Sequence, residues 1–348
     1  MIKKVLIRIM FILVLITGVN YIYIYTFYPM NLRDLCEHVL IMKQKSDSTD
    51  VLYFSESSNF NAREDDSTYL SISELSNLFY PSIKIHAVNQ PASHAGIYRY
   101  WLNQIDLKNN KPKAIVVALN MRSFDAAWIY SPAESSLQES IALLQPYPPI
   151  INRFLLSLQA FNDITETERE FKMKGLWKKE KLTLKNGDLK YKNTWDWDKA
   201  MGEGSYLKED GSWDFDKIRL ACHYVKAYAF NIKETNPRIK DFDFIVKWSE
   251  KNGIPLYFNL LAENIEYADS LVGKDLVFLM KENRDFLMNR YNTGNCKVID
   301  NLEKINGLEF SDQTWTTEHY GYKGRMIIAR NLAETLRNQF KNEYIKAY

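Results

Sequence analysis

The sequence predicts an α/β fold built on a parallel sheet and preceded by one transmembrane helix. Three observations lead there. Residues 9 to 28, IMFILVLITGVNYIYIYTFY, form a 20-residue run without a formal charge. Three strand-then-helix units follow within about 75 residues, the spacing of a parallel sheet with crossover helices. The same alternation resumes near residue 240, after a middle stretch of different composition.

Composition narrows the functional classes. The chain has 348 residues, with 45 Lys+Arg against 43 Asp+Glu and a formal net charge of +2. A balance this even excludes a strongly basic nucleic-acid binder, so no nucleic-acid partner is expected. Charged content of 25% with 14% aromatics is a globular composition. Cys36, Cys222 and Cys296 are far apart with no CxxC or Cys/His metal spacing. No metal or cofactor is expected; one Cys222–Cys296 bridge is possible.

The elements follow in order. The uncharged run is long enough to span a hydrocarbon core of about 30 Å. Lys3, Lys4 and Arg8 precede it and favour a cytoplasmic N-terminus, with everything after Tyr28 outside the cytoplasm. Tyr21, Tyr23, Tyr25 and Tyr28 suit an interfacial aromatic belt, and Pro29 ends the run. A cleaved signal peptide is the rival reading, but its apolar region is usually only about 7–15 residues before small residues. The expected division is an anchor at 1–30 and an extracytoplasmic domain at 31–348, with an insertion at about 131–215.

Residues 31–45 read as a short membrane-proximal helix, and 46–50 as a polar break. VLYF at 51–54 reads as a buried strand. Ile72, Leu75, Leu78 and Phe79 share a helical face. IKIHAV at 83–88 is a second strand, a helix lies around 96–107, and AIVVAL at 114–119 is a third strand ending at Asn120. Residues 134–171 look helical, broken by Pro146, Pro148 and Pro149, whereas 172–215 read as irregular or hairpin structure. Helices follow at 216–233 and 238–252, a strand at 254–261, a helix around 273–290, a strand at 297–300 and a final helix at 322–341.

In parallel sheets, ligands sit beyond the carboxyl ends of the strands. The polar residues there are the candidates. Ser57 follows the first strand, where a nucleophile or a simple turn former would sit. Asn89 to Gly96 is a small-residue loop after the second, able to expose backbone N–H groups; His94 within it is a candidate substrate contact. Asn120 follows the third, and its amide can donate to a developing oxyanion. His319 lies in a loop before the last helix, with Asp312 and Glu318 nearby, as a general base oriented by a carboxylate requires. Glu263 and Asn264 follow the fourth strand and could line the same site. Trp177, Trp195, Trp197 and Trp213 could form a sugar-stacking surface or a satellite core; Lys178, Lys179 and Lys181 suit a solvated face.

Serine, small-residue loop, asparagine and histidine, in that order, resemble the SGNH (GDSL-like) hydrolase superfamily over roughly residues 50–128 and 240–335. The resemblance implies a three-layer α/β/α sandwich. It makes Ser57 the nucleophile, with Ser55 and Glu56 where the family has Gly and Asp. It places oxyanion donors at Asn120 and at Gly96, less clearly Ala92, and the catalytic base at His319. The family's acid lies three residues before the histidine; here that is Thr316, so the role falls to Asp312, while Glu318 points elsewhere. The anchor makes the chain similar to the membrane-anchored branch that works beside membrane-bound O-acyltransferases. That branch implies a serine esterase or acyl transferase acting on acyl esters of an exported or cell-surface polysaccharide, in the periplasm or outside the cell. The alternative is a catalytically inactive glycan-binding or assembly partner of an integral-membrane O-acyltransferase.

Overall fold

The computed structural model describes residues 2–45, 49–159, 164–204 and 206–346. The polar break at 46–50 therefore lies largely outside the described residues. Helix α1 (Ile2–Thr26) is long and apolar enough to cross a membrane, and its side chains are exposed to its surroundings except at the buried Tyr23 and the half-buried Asn20 and Ile24. It passes through a turn at Phe27 into α2 (Tyr28–Lys45). Pro29 opens the second helix, where its missing N–H costs nothing.

Five strands, β1 (Val51–Ser55), β2 (Ile85–Asn89), β3 (Ala114–Leu119), β4 (Leu256–Leu260) and β5 (Cys296–Asp300), form one sheet in the order β2-β1-β3-β4-β5. All neighbours pair in parallel. The central strands β1, β3 and β4 are buried along their whole length because both faces are covered, whereas the edge strands β2 and β5 carry the partly exposed His86 and the exposed Lys297. Leu52, Phe54, Ile115, Val117 and Phe258 enter one core, while Val51, Tyr53, Val116, Ala118 and Tyr257 enter the other. The second core is closed by α3 (Ile72–Phe79), which carries a Ser71–Glu74 capping box, and by the long terminal helix.

Between β2 and β4 run α4 (Ala95–Leu102), α5 (Ala126–Ile129), α6 (Glu134–Leu143), α7 (Pro149–Ser157), α8 (Glu166–Lys179), α9 (Thr194–Gly202), α10 (Phe215–Tyr228) and α11 (Pro237–Asn252). After β4 come α12 (Ile265–Leu271), α13 (Lys274–Tyr291), then β5 and α14 (Tyr322–Lys346).

Two expectations change. Residues 172–215 are more ordered than an irregular insertion: α8 runs to Lys179, α9 is a further helix, and only the Leu207–Trp213 bridge is hairpin-like. Trp177 and Trp197 are buried, so these tryptophans do not form one sugar-facing surface. They pack inward, while Trp195 lies under Lys178 and Trp213 is exposed. Helix α2 is also more than membrane-proximal, because Leu32, Cys36, Val39 and Met42 are core residues. All three cysteines are free thiols, with Cys36 and Cys296 buried.

Candidate functional site

The strand order reverses direction between β1 and β3, so the crevice at their carboxyl ends is the natural ligand site. Register places the candidates there. Phe54 pairs with Val117, so Ser57 and Asn120, each three residues further on, leave the sheet side by side. Ser57 opens a short 3-10 turn, Ser57–Asn59. Asn120 caps the next 3-10 turn through its Oδ1, which accepts from the Arg122 N–H at 2.9 Å. Its Nδ2 is buried and has no partner among the described residues.

His319 arrives from the far end of the chain. Its loop is held by a Phe310–Tyr320 bridge, by the Ser311 N–H donating to the His319 carbonyl (2.8 Å), and by the Tyr320 hydroxyl donating to the Ala262 carbonyl (2.9 Å). The ring Nε2 lies 2.9 Å from Ser57 Oγ, across 262 residues of sequence. Serine and imidazole are thus placed for proton transfer.

Asp312 does not hydrogen-bond the His319 ring; it acts there only through its charge, which favours the protonated imidazole. Its Oδ1 accepts from the Thr314 N–H (2.9 Å) and hydroxyl (3.0 Å), closing its own turn. The His319 ring is met instead by the Asn61 amide, whose Nδ2 lies 3.0 Å from Nε2 and 3.3 Å from Nδ1. The Asn61 carbonyl in turn accepts from the buried Arg325, which also binds Asp66 (2.8 Å) and the Tyr320 carbonyl (2.7 Å).

A buried guanidinium clamps the histidine loop. Arg122 Nε and Nη2 form a fork on Glu318, the second contact at 2.7 Å, while Nη1 donates to the Thr316 carbonyl. Glu318 therefore points to Arg122, as its place beside His319 suggested, and Thr316 holds the loop rather than the imidazole.

Glu56 lies on the other side of Ser57, its Oε2 accepting from Ser57 Oγ at 2.9 Å. Burial, reinforced by Glu318, raises its pKa above the ordinary carboxylate value. Burial lowers the pKa of His319, favouring the neutral imidazole that a base must be.

Four other expectations are corrected. The Gly96 N–H donates to His94 Nδ1 at 3.0 Å and so is not directed at an oxyanion. A Cβ on Gly96 would meet His94 Cε1 at 2.7 Å and Arg238 Nη1 at 2.8 Å, which is why glycine sits there. His94 is a buried N-cap of α4 with Nε2 on Glu134 (2.7 Å), leaving no ring nitrogen for substrate. Glu263 is buried and bonded by the Tyr228 hydroxyl, and burial drives its pKa well above the usual range; it belongs to the support of the site. Asn264 caps α12, accepting from the Tyr267 N–H at 3.1 Å. In the loop after β2, the left-handed residue is Ala92, with φ 57°. That conformation favours glycine, and here an alanine adopts it.

Asn61, Arg122 and Arg325 were not singled out from sequence. Arg122 carried one usable signal, a cation two residues beyond a strand-terminal asparagine. Among the described residues no group of three or more His, Cys, Asp or Glu side chains is arranged to hold a metal ion. No protein-family model matches the chain, and no curated protein matches it.

Proposed function

We propose that this is a membrane-anchored, SGNH-like serine esterase or acyl transferase acting on acyl esters of an exported polysaccharide. The observation that carries the reading is the 2.9 Å approach of His319 Nε2 to Ser57 Oγ at the carboxyl edge of the sheet. The strand order and helices on both sheet faces are compatible with the three-layer sandwich of that superfamily.

In this mechanism Ser57 Oγ attacks the ester carbonyl while its proton passes to His319 Nε2. The tetrahedral oxyanion accepts from Asn120 Nδ2 and the Ser57 N–H, the first worth on the order of 3 kcal/mol. His319 then protonates the departing alcohol, leaving an acyl-Ser57. Water or an acceptor hydroxyl, deprotonated by His319, completes hydrolysis or transfer. A protonated Glu56 donates to Ser57 Oγ and leaves the serine proton free for His319; an ionised Glu56 would hold that proton instead. Trp315, exposed and backed by the His223 ring at 3.6 Å between centroids, offers an aromatic face on the histidine loop for a sugar. The α1 span and the basic residues before it favour a cytoplasmic N-terminus and an extracytoplasmic domain.

Fluorophosphonate labelling tests the nucleophile. The full-length protein should be labelled, and Ser57→Ala should abolish labelling. Equal labelling of the variant sinks the assignment. The second reading, a non-catalytic partner of an integral-membrane O-acyltransferase, is favoured by the amide in place of a carboxylate at His319 and by Glu56 against Ser57. It expects a folded protein with neither labelling nor ester turnover.

A further inference from the structure

Helix α7 has its polarity inverted. Its inward residue is Asn152, buried, with Nδ2 donating to the Leu143 carbonyl (3.0 Å) and the Gln145 carbonyl (2.8 Å). These bonds pin α7 to the end of α6. Its outward face is apolar: Ile151 is 40% exposed, Phe154 61% and Leu158 60%, at i, i+3 and i+7, with Tyr147 at 53% just before. A helix packed on a domain in water normally shows the opposite pattern.

The position of α7 along α1 supplies the reason. The two helices pack together, and the Ile150 N–H donates to Asn20 Oδ1 at 3.1 Å. Asn20 is twelve residues beyond Arg8, about 18 Å along a helix. A hydrocarbon core of about 30 Å entered at Arg8 would end well past Asn20. Even one entered at Lys4 would reach Asn20 after about 24 Å, still short of the far boundary. The domain therefore meets α1 at a depth where lipid is still present, and the element it presents there is α7.

We propose that α7 is an interfacial helix, its Ile151, Phe154 and Leu158 face seated in the headgroup–acyl boundary of the bilayer that α1 crosses. The Asn20–Ile150 bond satisfies one of the N–H groups that a helix start leaves open, in a place where water is scarce. The arrangement gives the domain two attachments to the membrane and fixes the height and tilt of its site. It rests on reading α1 as a membrane span and is independent of the chemistry proposed at Ser57.

The test uses the full-length protein in phosphatidylcholine/phosphatidylglycerol vesicles. Phe154→Cys and Leu158→Cys are each made in a Cys222→Ser background, since Cys36 and Cys296 are buried, and labelled with an environment-sensitive NBD probe. Lipids bearing a doxyl quencher near the headgroup should reduce emission at both sites by roughly twofold or more. Leu308→Cys, on an exposed residue of the domain, serves as reference, and Leu13→Cys reports on α1. Quenching at 13 with none at 154 and 158 overturns the proposal while keeping the span. Quenching at none of the three removes both. Shielding at 154 that depends on a co-expressed membrane protein and not on lipid assigns the face to a protein partner and also overturns it.

Discussion

Glu56 and Asn61 touch the Ser57–His319 pair from opposite sides, one at the serine and one at the imidazole. The Glu56 pKa is raised by burial, so its ionisation is linked to stability. A folded-state pKa above the unfolded one contributes stability below the ordinary value near 4.5, and that contribution is lost as pH rises through the folded pKa. Glu56→Gln replaces the Oε2 that accepts from Ser57 Oγ with a group that can donate to it at every pH, and removes this loss. Its melting temperature should vary less with pH on the alkaline side of 4.5, and fluorophosphonate labelling should persist to higher pH than in the wild type. An unchanged labelling profile would show that Glu56 does not govern the serine proton. Asn61 gives the opposite test. Burial lowers the His319 pKa, so the acid limb of the labelling rate should fall below pH 6.5. Asn61→Asp places a carboxylate at the ring and should move that limb upward by about one unit or more. Asn61→Ala should slow labelling without that displacement. Equal limbs in all three proteins would reduce Asn61 to a packing residue.

At the scale of elements, Arg122 connects the loop after β3 to the loop before α14. The pair with Glu318 is buried, and removing one partner strands the other charge. Arg122→Met should cost about 3–5 kcal/mol by denaturant unfolding. In whatever fraction folds, labelling should slow because the His319 loop has lost its clamp. Asn120→Ala, by contrast, should cost only the lost cap on the Arg122 N–H, about 0.5–2 kcal/mol, since its Nδ2 bonds nothing among the described residues, and should slow acylation roughly 10²–10³-fold. If the Asn120 variant labels at the wild-type rate, the oxyanion assignment is wrong. These elements also show what the sequence could convey. The central strands were readable as apolar runs ending in polar residues, the edge strands β2 and β5 as shorter apolar segments interrupted by His86 and Lys297, and parallel pairing then puts Ser57 and Asn120 together. His319 was readable as a histidine beside a terminal helix. Asn61 and Arg122 were not, because their roles arise from where loops fold back, and a loop asparagine or arginine carries no periodicity. Gly96 misled for the same reason: its small size answers to the His94 cap and Arg238 packed over it, not to an oxyanion.

For the whole molecule, α1 is joined to the sheet core through α2. Helix α1 ends at Thr26 and α2 begins at Tyr28, close to the division expected at residue 30. Leu32, Cys36, Val39 and Met42 lie in the same core as Leu52, Phe54 and Trp101, so the second helix is part of the folded unit. Deleting a buried large apolar side chain costs about 2–5 kcal/mol. Losing Leu32, Val39 and Met42 together would therefore consume most or all of the roughly 5–15 kcal/mol that holds a domain folded. A chain beginning at Tyr28 should retain a cooperative thermal transition and fluorophosphonate labelling in detergent, because α1 contributes only Tyr23 to the buried set. A chain beginning at Asp50 should lack a cooperative transition. It should also lose labelling, because β1, which carries Ser57 at its carboxyl end, would have its α2-covered face open to solvent. If the shorter chain melts as sharply as the longer one, α2 belongs with the anchor, and the core has been drawn too wide.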